Sequence, residues 1–192
     1  MSLPVPTPRR PLHTRRISFE GFLRDDGLWD IDAELRDSKS YPIHMHERGE
    51  LAPGDAIHHM RIRVTVDDSL KIVAIQTALA SAPFAECQAA ADPMAKLIGV
   101  TLGAGWRKAI DGAIGGVAGC THLRELLFNV ATAAFQTIPV YLAQQRAARG
   151  QRLGPDSPAP YFLDKCMSWD VSGPVVQRVM PMYYRPREPA KS

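Results

Sequence analysis

The sequence predicts an α+β fold, an antiparallel β-meander of about four strands packed against helices. Three observations carry this. Apolar and polar residues alternate with a period of two through most of residues 15–79, the period lengthens towards that of a helix after Ala80, and turn residues separate the runs. The length of 192 residues, with 45% hydrophobic and 22% charged residues, suits one ordinary globular domain. A net charge of +3 is too mild to argue for nucleic acid, and three cysteines without a C-x-x-C pair do not make a disulfide framework. No uncharged apolar stretch approaches the roughly 18–20 residues of a membrane span, and Met1 to Arg16 has no apolar signal core. A cytoplasmic setting is expected.

Residues 1–14 read as a proline-rich, basic, flexible arm, residues 15–150 as the single domain, and residues 151–192 as a C-terminal segment that docks on it. Ile17, Phe19, Gly21 and Leu23 alternate with Ser18, Glu20 and Phe22, and Asp25-Asp26-Gly27 then signals a hairpin. In the second run Trp29, Ile31, Ala33 and Leu35 face one way, while Asp30, Asp32, Glu34 and Arg36 face the other. Residues 37–56, with Pro42, Gly49, Pro53 and Gly54, read as a long surface loop. The third strand sets His58, Met60, Ile62, Val64 and Val66 against His59, Arg61, Arg63 and Thr65, and Leu70 to Leu79 forms the fourth.

Phe84 to Ala91 and the piece opened by Asp92-Pro93 read as two helical segments, the second ended by Gly99. A short helix carries Trp106 and Ile110, and Cys120 to Arg149 is the longest helix, which Pro139 should kink or break. The apolar residues after Tyr161 suggest a docking segment with a short strand at Val175–Met180.

The chemistry-bearing residues are few. Cys120 and His122 follow the glycine-rich Gly115-Gly116-Val117-Ala118-Gly119 and open the long helix, where unpaired N–H groups and the macrodipole stabilise a thiolate. Cys87 lies just inside the preceding helix, and Cys166 lies in the apolar tail. Cys87, Cys120, His122 and Cys166 would supply three thiolates and an imidazole, the donor set of a structural zinc site, with spacings that match no paired zinc knuckle. Three buried core thiols are the plainer reading. His44, His46, His58 and His59 form a second group, of which strand alternation lets only one of His58 and His59 join a given site. Asp25, Asp26, Asp30, Asp32 and Glu34 read as a solvated face that Arg61 and Arg63 could pair with.

Residues 15 to about 185 resemble a bacterial family catalogued as a domain of unknown function. The resemblance rests on Arg24-Asp25-Asp26-Gly27-Leu28-Trp29-Asp30, Ile57-His58-His59-Met60, Pro83-Phe84-Ala85-Glu86-Cys87 and Gly119-Cys120-Thr121-His122-Leu123. From Gly54 to about Phe135 the order also resembles the iron–sulfur scaffold fold of IscU, NifU and SufE proteins. There Cys87 falls near the second scaffold cysteine, Gly99-Val100-Thr101-Leu102 near a glycine-bounded segment, and Cys120 at the third cysteine. Pro53 stands where the scaffold has its first cysteine, and His122 follows Cys120 by two residues instead of preceding it.

The resemblance implies a protein that handles a metal or an iron–sulfur cluster, with zinc or a cluster as cofactor. Cys87, Cys120, His122, Cys166 and His59 are the expected ligands, with His58 as the alternative nitrogen to His59. Two other functions fit the residues. One is an enzyme or sulfur-transfer protein with Cys120 as nucleophile and His122 as base. The other is a non-catalytic module binding a small molecule or a partner protein. A homodimer is also open, whereas nucleic acid and membrane partners are not expected.

Overall fold

A computed structural model describes residues 2–151 and 159–187. Two compact units divide the chain, residues 1–143 and 144–192.

The first unit is built on one sheet. Strands β1 (His13–Leu23), β2 (Trp29–Lys39), β5 (Ala56–Val66) and β6 (Ile72–Ser81) lie in the order β1-β2-β5-β6, all antiparallel, and the small hairpin of β3 (Ile43–Met45) and β4 (Gly49–Leu51) stands between β2 and β5. The α+β class and the four-strand antiparallel sheet therefore hold. The loop expected over residues 37–56 is shorter: β2 runs on to Lys39, and Ile43, His44 and Met45 pair with Leu51, Glu50 and Gly49. Gly27 closes the β1–β2 turn with φ +81°, a left-handed conformation that a β-carbon disfavours.

The period-two pattern buries one face of the sheet. Trp29, Ile31, Ala33 and Leu35 of β2 and Met60, Ile62, Val64 and Val66 of β5 are all 2% exposed or less. Onto this face pack α1 (Trp106–Ile114) through Trp106 and Ile110, and α2 (Thr121–Ala148) through Leu123, Leu126, Leu127, Val130, Ala134 and Ile138. The Trp106 indole donates to the Leu127 carbonyl at 2.8 Å, so its polar atom is satisfied inside the core.

Several local expectations give way to tertiary packing. Residues Ala85–Leu97 form one continuous 3₁₀ run that passes through Asp92-Pro93 without a new cap, anchored by buried Met94 and Leu97. Pro139 does not break α2: the missing donor and the ring clash cost about 3 kcal/mol, which burial of the flanking Ala134 and Ile138 offsets. By length and composition α2 is also apolar enough to cross a membrane, although seven of its residues belong to the core of the first unit.

In the second unit Leu163, Val176 and Tyr183 form a small buried cluster with Phe162 and Trp169 against it. The short strand expected at Val175–Met180 is instead helix α3 (Pro174–Val179), whose first residue Pro174 carries the φ a helix needs at that position. The linker expected at residues 150–160 lies mostly outside the described residues.

Candidate functional site

The buried face of the sheet does not stay apolar to its end. Two residues beyond Leu35, the alternation of β2 places Asp37 on that face, and its side chain is 4% exposed. The registers set Arg15 of β1 opposite Asp37, and Asp37 opposite His58 of β5, so a cation, a carboxylate and an imidazole lie side by side across three strands. A register shift at Asp37/Ser38 follows, the kind of bulge that re-aims side chains. The first turn of α2 brings His122 over this row.

Asp37 is the hub. Arg15 donates to both carboxylate oxygens, Nε to Oδ1 and Nη2 to Oδ2, each at 2.9 Å, and also reaches Glu125 of α2 at 2.6 Å. His13 Nε2 lies 3.1 Å from Oδ1. His58 Nδ1 is 3.2 Å and His122 Nε2 3.7 Å from Oδ2. The two imidazoles stack with centroids 3.8 Å apart and planes 32° from parallel. Although His58 Nδ1 is within reach of Oδ2, the approach is misaligned, and this buried nitrogen makes no well-formed hydrogen bond among the described residues.

The electrostatics are asymmetric. Burial alone would raise the Asp37 pKa, but the hydrogen bonds and charge of Arg15, with His58 and His13 beside it, hold it below the ordinary value of 3.8. Burial pushes His58 below 6.5, and the neighbouring His122 adds to this, against the pull of Asp37. Burial and the Arg15 charge push His122 down in the same direction, against Asp37 and Glu125. At neutral pH the cluster is thus an ionised carboxylate facing two neutral imidazoles, the protonation states of ligands or of proton acceptors.

Asp37, His58 and His122 place one ligand atom each within 4.8 Å of one another, and no other group of three His, Cys, Asp or Glu residues does so among the described residues. At bond lengths of ~2.0–2.2 Å, neighbouring ligand atoms in tetrahedral or octahedral geometry sit roughly 3.0–3.5 Å apart. The His58–Asp37 separation of 3.2 Å falls within that range and the His122–Asp37 separation of 3.7 Å lies just beyond it, so an ion would draw the three ligand atoms closer together.

The residues singled out from sequence are distributed unevenly. His122 is in the cluster, and Cys120, the residue preceding α2, lies beside it with Sγ 3.6 Å from His122 Nδ1. Cys87 and Cys120 line one groove of about 530 Å³ with Phe84, Ala90 and Val117. Cys166 is exposed in the second unit. His59 is on the wrong face: alternation turns it to the solvated side, where it meets Glu34 at 2.6 Å, and His58 is the strand nitrogen at the cluster. Asp37 and His13 were absent from the candidates. The signal for Asp37 was present, because it continues the Trp29–Leu35 series by one step and puts a charge where the pattern calls for an apolar residue. Pairing with Arg15 has no sequence signal, since it depends on the register of β1.

Fold and site define an α+β domain with a buried carboxylate–imidazole cluster at one end of its sheet. The chain belongs to the family described as protein of unknown function DUF2889, which it matches over residues 13–136, a span that holds the whole cluster and Cys120. No curated protein and no solved structure matches the chain.

Proposed function

We propose that this protein binds a single divalent transition-metal ion through Asp37 Oδ2, His58 Nδ1 and His122 Nε2. The observation that carries this reading is the buried, unbonded Nδ1 of His58 facing the same carboxylate oxygen as His122 Nε2. Three electron-pair donors gathered in a protected place need a proton or a cation between them, and the misaligned His58–Asp37 contact favours a cation. Two imidazoles and a carboxylate suit Zn²⁺ or Fe²⁺, with further positions left for water or substrate. Arg15 keeps Asp37 ionised and fixes its plane, leaving the second lone pair of Oδ2 for the ion. A cluster-handling, scaffold-like reading would rest instead on Cys87 and Cys120, and the compact ligand set contains no sulfur.

The test is metal binding by chelator-stripped protein, with Zn²⁺ aerobically and Fe²⁺ anaerobically, followed by calorimetry and elemental analysis. One equivalent should bind. His58→Ala and His122→Ala should each weaken binding at least tenfold, about 1.4 kcal/mol or more, while His59→Ala and Cys166→Ser bind as wild type. No stoichiometric binding, or equal binding by His58→Ala, overturns the reading. Loss in Cys87→Ser and Cys120→Ser alone transfers it to a thiolate centre.

A second reading has one specific observation behind it, the order Cys120 Sγ, His122 ring, Asp37 carboxylate at 3.6 and 3.7 Å. A thiol, a base and an orienting carboxylate in that order are the parts of a nucleophilic cysteine. On this reading the chain is an enzyme or sulfur-transfer protein whose substrate enters the groove beside Cys120. Alkylation of Cys120 by iodoacetamide, in a Cys87→Ser, Cys166→Ser background at pH 6, should then outpace a free thiol and slow on His122→Gln. A rate no faster than that of glutathione discards it.

A further inference from the structure

The face of the sheet turned away from Asp37 is solvated, and several of its acids are paired with neighbouring cations. Arg63 grips Asp32 at 2.7 and 2.6 Å. Arg61 and His59 share Glu34 at 2.9 and 2.6 Å, and the two together hold the Glu34 carboxyl below its ordinary pKa. Arg24 grips Asp26 and reaches Asp30 at 3.5 Å. Opposite charges in adjacent strands are the stabilising arrangement, and like charges directly opposite are destabilising.

At the end of this face nearest the N-terminal arm, the register sets Arg16 of β1 directly opposite Arg36 of β2. Alternation turns both side chains to the solvated face. Arg36 donates to a neutral partner, the Gly54 carbonyl, at 2.9 Å. The Arg16 side chain has no ion-pair or hydrogen-bond partner among the described residues. Both line a hollow of about 460 Å³ together with Arg15, Ile17, Ser18 and Glu34. Glu34 is the only acid there among the described residues, and its carboxylate is already taken by His59 and Arg61. The strand pair also sets Glu20 opposite Asp32, but Arg63 compensates that pair, and Glu20 stands four residues beyond Arg16, roughly 13 Å along the strand. Of the hollow's three arginines, Arg15 is held by Asp37 and Glu125, so Arg16 and Arg36 remain without a free acid to balance them among the described residues.

We propose that Arg16 and Arg36 bind the phosphate group of a phosphorylated small molecule. A phosphate dianion matches two guanidinium charges, and its three terminal oxygens can accept the paired N–H donors that each guanidinium presents in a planar fork. The Ser18 hydroxyl in the same hollow supplies one more donor. An anion there converts a repulsive cross-strand pair into a bridged one. Arg16 and Arg36 project from the face of the sheet opposite Asp37, His58 and His122, while Arg15, the Asp37 partner, borders the same hollow; the proposal does not depend on the metal reading.

The test titrates full-length protein with pyrophosphate at low ionic strength and follows the arginine Nε–Hε resonances. Saturable shifts of the Arg16 and Arg36 signals are expected, with the Arg63 signal unmoved. Arg16→Gln and Arg36→Gln should each weaken binding about tenfold, and Arg24→Gln, just beyond the far end of β1, should leave it unchanged. In the absence of phosphate, Arg16→Gln should melt no lower than wild type, because it removes a repulsion. Absence of a saturable shift overturns the proposal, as does equal weakening by Arg24→Gln, which would mark a general charge effect. An equally strong response to citrate refutes the assignment to phosphate.

Discussion

Replacing Asp37 by Asn keeps the shape of the side chain and removes its charge, so the loss measures what the carboxylate holds together. Asp37 accepts two hydrogen bonds from Arg15 at 2.9 Å and faces His13 at 3.1 Å, with a side-chain exposure of 4%. Breaking a fully buried ion pair costs roughly 3–5 kcal/mol. The Arg15 side chain is 34% exposed and keeps Glu125 at 2.6 Å, which screens the orphaned guanidinium and reduces the expected cost to about 2 kcal/mol. With an m-value near 2 kcal/mol/M, the urea midpoint should fall by about 1 M. The assay is tryptophan fluorescence in a Trp169→Phe background, so that Trp29 and Trp106 report on the first unit alone. A double-mutant cycle with Arg15→Gln should give a coupling of about 1–2 kcal/mol. The pH dependence fixes the sign. The Asp37 pKa is depressed below 3.8, so its contribution is complete above that value and is lost as pH falls through the lower folded value. The deficit of Asp37→Asn should therefore widen as the imidazoles that Asp37 supports begin to protonate, and then shrink as pH falls through the folded Asp37 value. A coupling under about 0.3 kcal/mol, or a deficit that persists unchanged in acid, refutes the hub role.

Two further outcomes follow from the same structure. His58 and His122 both have pKa values depressed below 6.5, so the unfolded chain takes up protons first. Metal-free protein should lose stability as pH falls from about 7 through 6.5 towards the folded values, and His58→Gln with His122→Gln should flatten this fall in melting temperature between pH 7.5 and 5.5. Gly21 lies on the covered face of β1 against the Thr137 side chain, which occupies the place a β-carbon would take. Gly21→Ala should cost about 1–3 kcal/mol by urea denaturation, and Thr137→Ala should recover part of it.

The sheet was legible because alternation is a local property. Trp29 to Leu35 and Met60 to Val66 each state which face is buried, and the structure buries those residues. Pro139 and the Asp92-Pro93 pair misled because local breaker rules compete with burial, and the burial of Ala134, Ile138, Met94 and Leu97 prevails. The site was half legible. His122 was found from its place at a helix start, whereas the choice of His59 over His58 went against the very alternation that ordered the strand, and Asp37 was hidden inside an apparent loop.

By itself the sequence determined the class of fold, the hairpin at Gly27, the buried faces of the central strands, and the placing of Cys120 and His122 where α2 begins. All of these follow from spacings within a few residues, which the backbone converts directly into direction. Only the tertiary structure decided that Arg15, Asp37 and His58 stand in one row with His122 above them, that His59 meets Glu34 instead, and that Arg16 faces Arg36. Those neighbours come from strand register and helix docking over separations of 20 to more than 80 residues. The free energy that fixes them is spread over the whole core and leaves no mark at any one position in the chain.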